Sequence, residues 1–239
     1  MDPTSSGPEA GDSGGFASKR MTLTDIFKRA FDIYKNNLIM MVPSIIPIAW
    51  MFVGMVFLFA GLLSAGVLFE GHQTAGMIAG GFGILSFVVF ILGFIVLIIA
   101  SEGILIQMVW DATLGRSVDL SLGWKEVSSK MGSLVLASII GGVLILIGLV
   151  LFVIPGLILS ILFYFMAQAV VIDNARPTEA LSKSYRFVRA NLGDTIVIVI
   201  IAYGLYAVLS VIPVISHVAY ILLMPYLMAV ATLFYLDRR

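Results

Sequence analysis

The chain has 239 residues, of which 60% are hydrophobic and only 12% charged, against about 25% charged in a soluble globular protein. A mean hydropathy of +1.08 assigns most of it to lipid. A formal net charge of zero gives no general electrostatic case for binding nucleic acid, and the lack of cysteine excludes disulfides, thiolate metal sites and a cysteine nucleophile.

Residues 1–21 are polar and rich in Gly, Ser and Pro. They are too poor in apolar side chains to fold alone, which predicts a disordered tail. No early basic segment with a short apolar run follows, so the first span itself is expected to direct insertion. A single membrane domain is predicted over 22–239.

Six apolar segments follow. The first runs from about Leu38 to Phe69, with bends expected at Pro43 and Pro47. After the turn Glu70-Gly71-His72-Gln73-Thr74, the second runs from about Gly76 to Trp110, beyond the ~20 residues that cross a bilayer. The third spans about Met131 to Val153. Pro155-Gly156 is read as a tight turn, because one unbroken helix would overrun the bilayer. The fourth covers about Leu157 to Ile172, the fifth Thr195 to Ile212 and the sixth Ile215 to Leu236, with Pro213 between the last two.

The segments before the hairpins carry a repeat. Residues 24–38 (TDIFKRAFDIYKNNL) align with 178–192 (TEALSKSYRFVRANL). Phe27, Ala30, Phe31, Tyr34 and Leu38 fall at i, i+3, i+4, i+7 and i+11; Leu181, Ser184, Tyr185, Val188 and Leu192 take the same places. That spacing predicts an amphipathic helix with an apolar stripe and a basic opposite face. Asp25 and Glu179 fall in the first turn, where the helix dipole favours acids. Thr22-x-x-Asp25 fits a capping box. Leu120, Trp124, Val127 and Met131 form a third, weaker copy, with Lys125 and Lys130 alongside. The predicted fold is therefore all-α: six transmembrane helices as three hairpins, each preceded by a cytoplasmic interfacial amphipathic helix.

Orientation comes from charge. The 14 basic residues cluster in the tail and first helix, around Arg116 to Lys130, around Arg176 to Arg189, and at Arg238 and Arg239. The turns between paired spans hold none. Lys and Arg concentrate in cytoplasmic loops, so both termini are expected in the cytoplasm of a multi-pass plasma-membrane protein. The basic faces make Lys28, Arg29, Lys35, Lys183, Arg186 and Arg189 candidate contacts for anionic lipid headgroups. The plainer alternative is that these helices only anchor and orient the spans.

Inside the spans the polar candidates are few. Glu102 is an acid about eight residues from the cytosolic end of the second span, so roughly 12 Å deep at the helical rise. An exposed carboxylate there costs at least ~2.5 kcal/mol, so it is expected to face protein, to pair or to be held neutral. A hydrogen bond to Tyr164 or Tyr226 is the structural reading; coupling of transport is the functional one. Gln107 and Gln168 are expected to bond each other across helices. Ser133, Ala137 and Gly141, like Gly76 and Gly80, have the small-residue spacing that lets helices approach in lipid, either within one bundle or across a dimer. His72 and His217 fall at outer turns and make a poor metal site. No cofactor or metal is expected, and no nucleophile elbow, P-loop, HExxH or dinucleotide fingerprint is present.

The stretch Ile154 to Leu192 opens with a Pro-Gly turn, continues through a span ending Ala-Val-Val-Ile-Asp, and passes a short linker into Glu-Ala-Leu-x-x-Ser-Tyr-x-x-Val-Arg. It resembles the membrane domain found beside glycerophosphoryl diester phosphodiesterases, and the related stand-alone bacterial and archaeal membrane proteins. DIFKRAFDIYKNNL is similar to that family's N-terminal helix, and the resemblance covers most of 22–236. It implies a polytopic membrane domain. The phosphodiesterase chemistry of fused relatives belongs to a separate soluble domain for which these residues leave no room, so no catalytic residue carries over.

Three functional classes follow. The first is a non-enzymatic scaffold, regulatory or lipid-associated membrane protein, whose partners are lipids or a protein on the cytoplasmic face. The second is a transporter or channel, which needs a polar path through the bundle. The third is a membrane-embedded enzyme, disfavoured for want of a clustered acid–base or metal constellation.

Overall fold

The computed structural model describes the backbone of residues 20–71, 73–210 and 213–239, and their side chains outside 62–82 and 209–216. Most of the predicted tail, His72 and the small-residue pair Gly76 and Gly80 therefore lie outside the described backbone or side chains. Among the described residues the chain is helical, without a strand. Five segments are long and apolar enough to cross a membrane, or six if one bent pair counts as a span. This is a multi-pass membrane protein by length and composition.

Helix α1 spans Leu23–Asn36, and a 3-10 turn, Leu38–Met41, leads into α2, Val42–Gly71. The capping box at the start of α1 forms as predicted. Thr22 Oγ1 accepts from the Asp25 backbone N–H, and the Asp25 side chain accepts from Thr22 N–H. Pro47 lies inside α2. Helix α3, Gln73–Thr113, holds Glu102. Trp50 Nε1 donates to the Phe90 carbonyl at 3.2 Å and stacks on the Phe90 ring, tying α2 to α3.

Helix α4 is continuous over Leu120–Leu151. The third predicted amphipathic segment is thus no separate helix; its residues are the first turns of the third span. Asp119 caps it, accepting from Ser121 and Leu122 N–H at 2.7 and 3.1 Å. The predicted turn at Pro155-Gly156 also moves. The reversal falls at the extended residue Phe152, and α5, Val153–Leu162, contains both Pro155 and Gly156. Proline is tolerated in a first helical turn, where its missing N–H has no partner to lose. Ala137 and Gly141 are buried, and a Cβ on Gly141 would meet Met166 Sδ at 3.0 Å and Leu181 at 3.2 Å. The Ser133-Ala137-Gly141 stripe packs within the bundle.

The fourth span is broken. After α5 the chain leaves helical geometry at Phe163–Phe165 before α6, Met166–Asp173. Asn174, in the left-handed region at φ 51°, ends α6, and Pro177 opens α7, Pro177–Ala190. Helix α8, Leu192–Ser210, follows α7 through a 103° bend, and its described part reaches span length only when counted together with α7. Helix α9, Pro213–Arg238, closes the bundle with Pro225 inside it.

The most extensive packing is of α2 on α3 and α4 on α5, then of α3 on α4 and α1 on α9, ahead of α8 on α9. Helix α3 also touches α4, α6 and α9. The dense core gathers Ile26 and Ala30 of α1, Leu105 and Met108 of α3, Phe165, and Phe234 of α9 in one cluster. Phe165 and Phe187 meet edge to face at 4.8 Å. The buried side of α7 is Ala180, Leu181, Ser184, Phe187 and Val188. It differs from the predicted stripe, because Tyr185 and Leu192 are exposed and Phe187 turns inward to the aromatic cluster. In α1, likewise, Ile26 is buried while Phe31 and Leu38 are exposed. Large apolar side chains of α2 to α5 stand exposed in series, Phe57, Ile84, Val150 and Phe152 among them. That surface matches a lipid-facing wall.

Candidate functional site

Helices α3, α4, α5, α6, α8 and α9 line a half-open cavity of about 380 Å³. Its acidic member is Glu102. Tyr164 and Gln168 reach it from the broken span, Tyr203 and Tyr206 from α8, and Tyr220 from α9. Ser160 lies on its α5 side. The rest of the wall is apolar, chiefly Phe163, Met166, Met224, Leu227 and Met228. Volume, apolar walls and a few convergent polar groups are the features of a small-molecule site.

The position of each polar group has a local cause. Glu102 sits on α3 beside Gly103, where a Cβ would meet Leu134 and Val127 at 2.9 Å. The close approach of α4 on that side leaves the neighbouring carboxylate to face α6, α8 and α9. Glu102 is only partly buried, since its carboxylate borders the cavity, and it has no hydrogen bond to a described residue. The expected bond to Tyr164 or Tyr226 is not made. Tyr164 shares the cavity and lies within electrostatic reach of Glu102, as do Tyr203 and Tyr220. Tyr226 instead packs against the rings of Phe31 and Tyr34 at 6.3 and 6.4 Å.

Gln107 and Gln168 do not bond each other. Gln107 Nε2 donates to Asp111 on its own helix at 3.2 Å. Gln168 Nε2 donates to Met228 Sδ at 3.6 Å, and its Oε1 is buried without a hydrogen-bond partner. Gln168 is 1% exposed and borders the cavity. The structure therefore brings Glu102 and Gln168 to one site and leaves Gln107 outside it. Sequence reasoning passed over Tyr203, Tyr206 and Tyr220 as members of the site. The available signal was the i, i+3 spacing of Tyr203 and Tyr206 in an otherwise aliphatic span, facing the depth of Glu102.

The break in the fourth span is held from outside. Ser184 Oγ of α7 donates to the Leu162 carbonyl at 2.8 Å and accepts from Phe165 N–H at 3.1 Å. Non-helical backbone at membrane depth survives only where protein covers it or a cavity solvates it. Here both conditions hold, because Phe165 is fully buried and Tyr164 borders the cavity.

A second cavity of about 180 Å³ lies between α2, α3, α8 and α9. Tyr206 and Tyr220 border both cavities, and His217 lines the second. Among the described residues no group of three His, Cys, Asp or Glu is placed to hold a metal ion.

The candidate headgroup contacts divide. Lys28, Arg29, Lys35, Arg186 and Arg189 are exposed, whereas Lys183 is engaged by Glu179 at 3.1 Å and Asp173 at 3.7 Å. The Lys183 ammonium, hydrogen-bonded to Glu179, holds that exposed carboxyl below its ordinary range, helped by the Arg176 backbone N–H. Arg189 donates to Tyr185 Oη at 3.0 Å. Helix α1 packs on α9, while α7 packs on α4 and α6.

The two described chain ends meet at one end of the bundle. Met21 N–H donates to the Asp237 carboxylate at 3.2 Å, and Arg238 donates to the Met21 carbonyl at 2.9 Å. Met21, which composition assigned to the tail, is thus tied to α9. Asp173 accepts from Tyr235 Oη at 2.7 Å and Arg239 at 2.8 Å nearby.

Fold and cavity together define an all-helical, multi-pass membrane protein with a half-open, mostly apolar cavity among its helices. Residues 69–236 match a family described as Domain of unknown function (DUF7847), and the chain belongs to that family. No curated protein and no solved structure matches it.

Proposed function

We propose that this is a non-enzymatic, lipid-associated protein of the cell membrane that holds an amphiphilic molecule inside its helical bundle. The observation that carries the reading is the cavity of about 380 Å³, where largely apolar walls surround Glu102, which has no hydrogen bond to a described residue. A buried polar atom without a partner is costly, and a bound molecule that hydrogen-bonds to it removes the cost. The resemblance of Ile154 to Leu192 to a membrane domain beside lipid-related phosphodiesterases supports the same class.

In this reading the six spans form three hairpins with both termini in the cytoplasm. The meeting of Met21 with Asp237 and Arg238 supports an even number of crossings, and the clustered Lys and Arg support the orientation. Helices α1 and α7 lie at the cytoplasmic interface, with Lys28, Arg29, Lys35, Arg186 and Arg189 toward anionic headgroups. Lys183 is assigned to the Asp173–Glu179 pair instead of to lipid.

The test extracts the protein in polymer-bounded native membrane discs and identifies co-purifying amphiphiles by mass spectrometry. The parent should retain a molecule that Ala202→Phe, which fills the cavity, loses. Identical profiles for the two would overturn the reading. Transport is the second reading, favoured by the broken span at Phe163–Phe165 and by the two cavities that share Tyr206 and Tyr220. Flux of the retained molecule across proteoliposomes separates a carrier from a static binder.

A further inference from the structure

We infer that the cavity beside Glu102 takes a hydrophobic amine in its protonated form, with the ammonium against the Glu102 carboxylate and the alkyl body along the methionine and leucine wall. This rests on the reading of the cavity as an amphiphile site and names the charge and donor character of the occupant.

The charge follows from the wall. Glu102 borders the cavity, and among the described residues that line it none is Lys, Arg or His. An anionic headgroup would meet a carboxylate with no described cation to offset it. A neutral tail alone would leave the carboxylate without a partner at membrane depth.

The donor character follows from hydrogen-bond bookkeeping. Glu102 has no hydrogen bond to a described residue and borders the cavity. Ser160 donates its hydroxyl hydrogen to the Leu157 carbonyl at 2.8 Å, so what it can still offer is an oxygen lone pair. A carboxylate is acceptor-only when ionised. The unfilled positions therefore call for N–H groups, which a primary ammonium has and a quaternary one lacks. Tyr164, Tyr203, Tyr206 and Tyr220 add ring faces to the same cavity, and cations are drawn to such faces. The apolar remainder of the wall selects an alkyl or aryl amine over a hydrated metal ion, which would keep its water shell.

The experiment uses the full chain in phosphatidylcholine nanodiscs and isothermal titration calorimetry, with empty discs subtracted. The probes are octylammonium, octyltrimethylammonium, octanol and octyl sulfate. Octylammonium should bind saturably. Octyltrimethylammonium should bind about tenfold more weakly, the loss expected for one missing charge-assisted hydrogen bond. Octanol and octyl sulfate should be weaker still. Glu102→Gln should melt like the parent and bind octylammonium no better than octanol. The ligand series on the parent decides the matter even where a variant misfolds. Equal binding of octanol and octylammonium, with both lost in Ala202→Phe, would overturn the amine assignment and leave the amphiphile reading standing. Displacement of octylammonium by sodium or potassium at equal concentration would overturn it in favour of an inorganic ion. No saturable binding of any probe would overturn both readings.

Discussion

Ser184 and Phe165 are joined by a 3.1 Å hydrogen bond in which the Ser184 hydroxyl accepts from the Phe165 backbone N–H, 19 residues earlier. The same hydroxyl donates to Leu162. One side chain thus serves a donor and an acceptor freed where the fourth span leaves helical geometry. Ser184→Ala strands both, and a buried unsatisfied group costs about 1–3 kcal/mol. Thermal unfolding in detergent should show the alanine variant destabilised by that order. An unchanged midpoint would mean that the break holds without the hydroxyl.

The reversal between α4 and α5 depends on two glycines. A Cβ on Gly148 would meet Gly156 backbone at 2.9 Å, and one on Gly156 would meet Leu149 N at 2.6 Å. Backbone cannot give way as a flexible side chain does. Overpacking of this kind costs about 1–3 kcal/mol. Gly156→Ala should therefore lower the unfolding midpoint, whereas Gly142→Ala, where a Cβ meets nothing within 4 Å, should not.

Much of the fold was legible because lipid imposes a length. Runs of about 20 apolar residues mark spans whatever their partners, and among the described residues five of the six predicted segments fall on stretches long and apolar enough to cross a membrane. The capping box at Thr22 and Asp25 was legible because its chemistry is local. The break at Phe163–Phe165 was not. Neither Gly nor Pro marks it, and the group that sustains it, Ser184, lies on another helix. Glu102 stood out by its depth, but the choice between Gln107 and Gln168 as its companion depended on helix rotation. The apolar stripe of α7 was misassigned at Tyr185 and Phe187 for a related reason. Both are aromatic, and only the Phe165 and Phe234 rings decide which one turns inward.

Sidedness is open to direct measurement because the chain has no native cysteine. Single cysteines at Thr74 or His217 should react with an impermeant thiol reagent applied from outside intact cells. Cysteines at Ser13 or Ser182 should react only after permeabilisation. Ser182 is exposed on α7, so burial does not protect it. External labelling at Ser182 would contradict the three-hairpin topology.

Acid should weaken the start of α7. Glu179 is held below its ordinary range, first by the hydrogen bond from Lys183. A carboxyl whose folded pKa is depressed stabilises when ionised. That contribution is fully present above the ordinary Glu range and is lost as pH falls through the lowered value. The group is exposed, so the effect is small and screened by salt. Glu179→Gln should be slightly less stable than the parent at neutral pH, and the difference should close toward pH 3. A constant difference across that range would assign the loss to something other than charge.

Asp173 joins three elements at the end of the bundle where the chain ends meet. It accepts from Tyr235 of α9 at 2.7 Å, from Arg239 at 2.8 Å, and pairs with Lys183 of α7 at 3.7 Å. Its side chain is 20% exposed and that of Arg239 is 41% exposed, so water screens the Arg239 pair more than the Tyr235 bond. Tyr235 is 2% exposed and its hydroxyl bond to a charged acceptor is shielded. The buried bond should therefore dominate. Tyr235→Phe removes the donor and should cost about 1.5–3 kcal/mol, the range for hydrogen bonds to charged groups. Arg239→Ala should cost under about 1 kcal/mol. Asp173→Asn keeps an acceptor but loses the charge, and should fall between them. In a double-mutant cycle Tyr235→Phe and Asp173→Asn should couple, since each removes part of one bond. Strict additivity of the two would show that the 2.7 Å contact contributes nothing to stability.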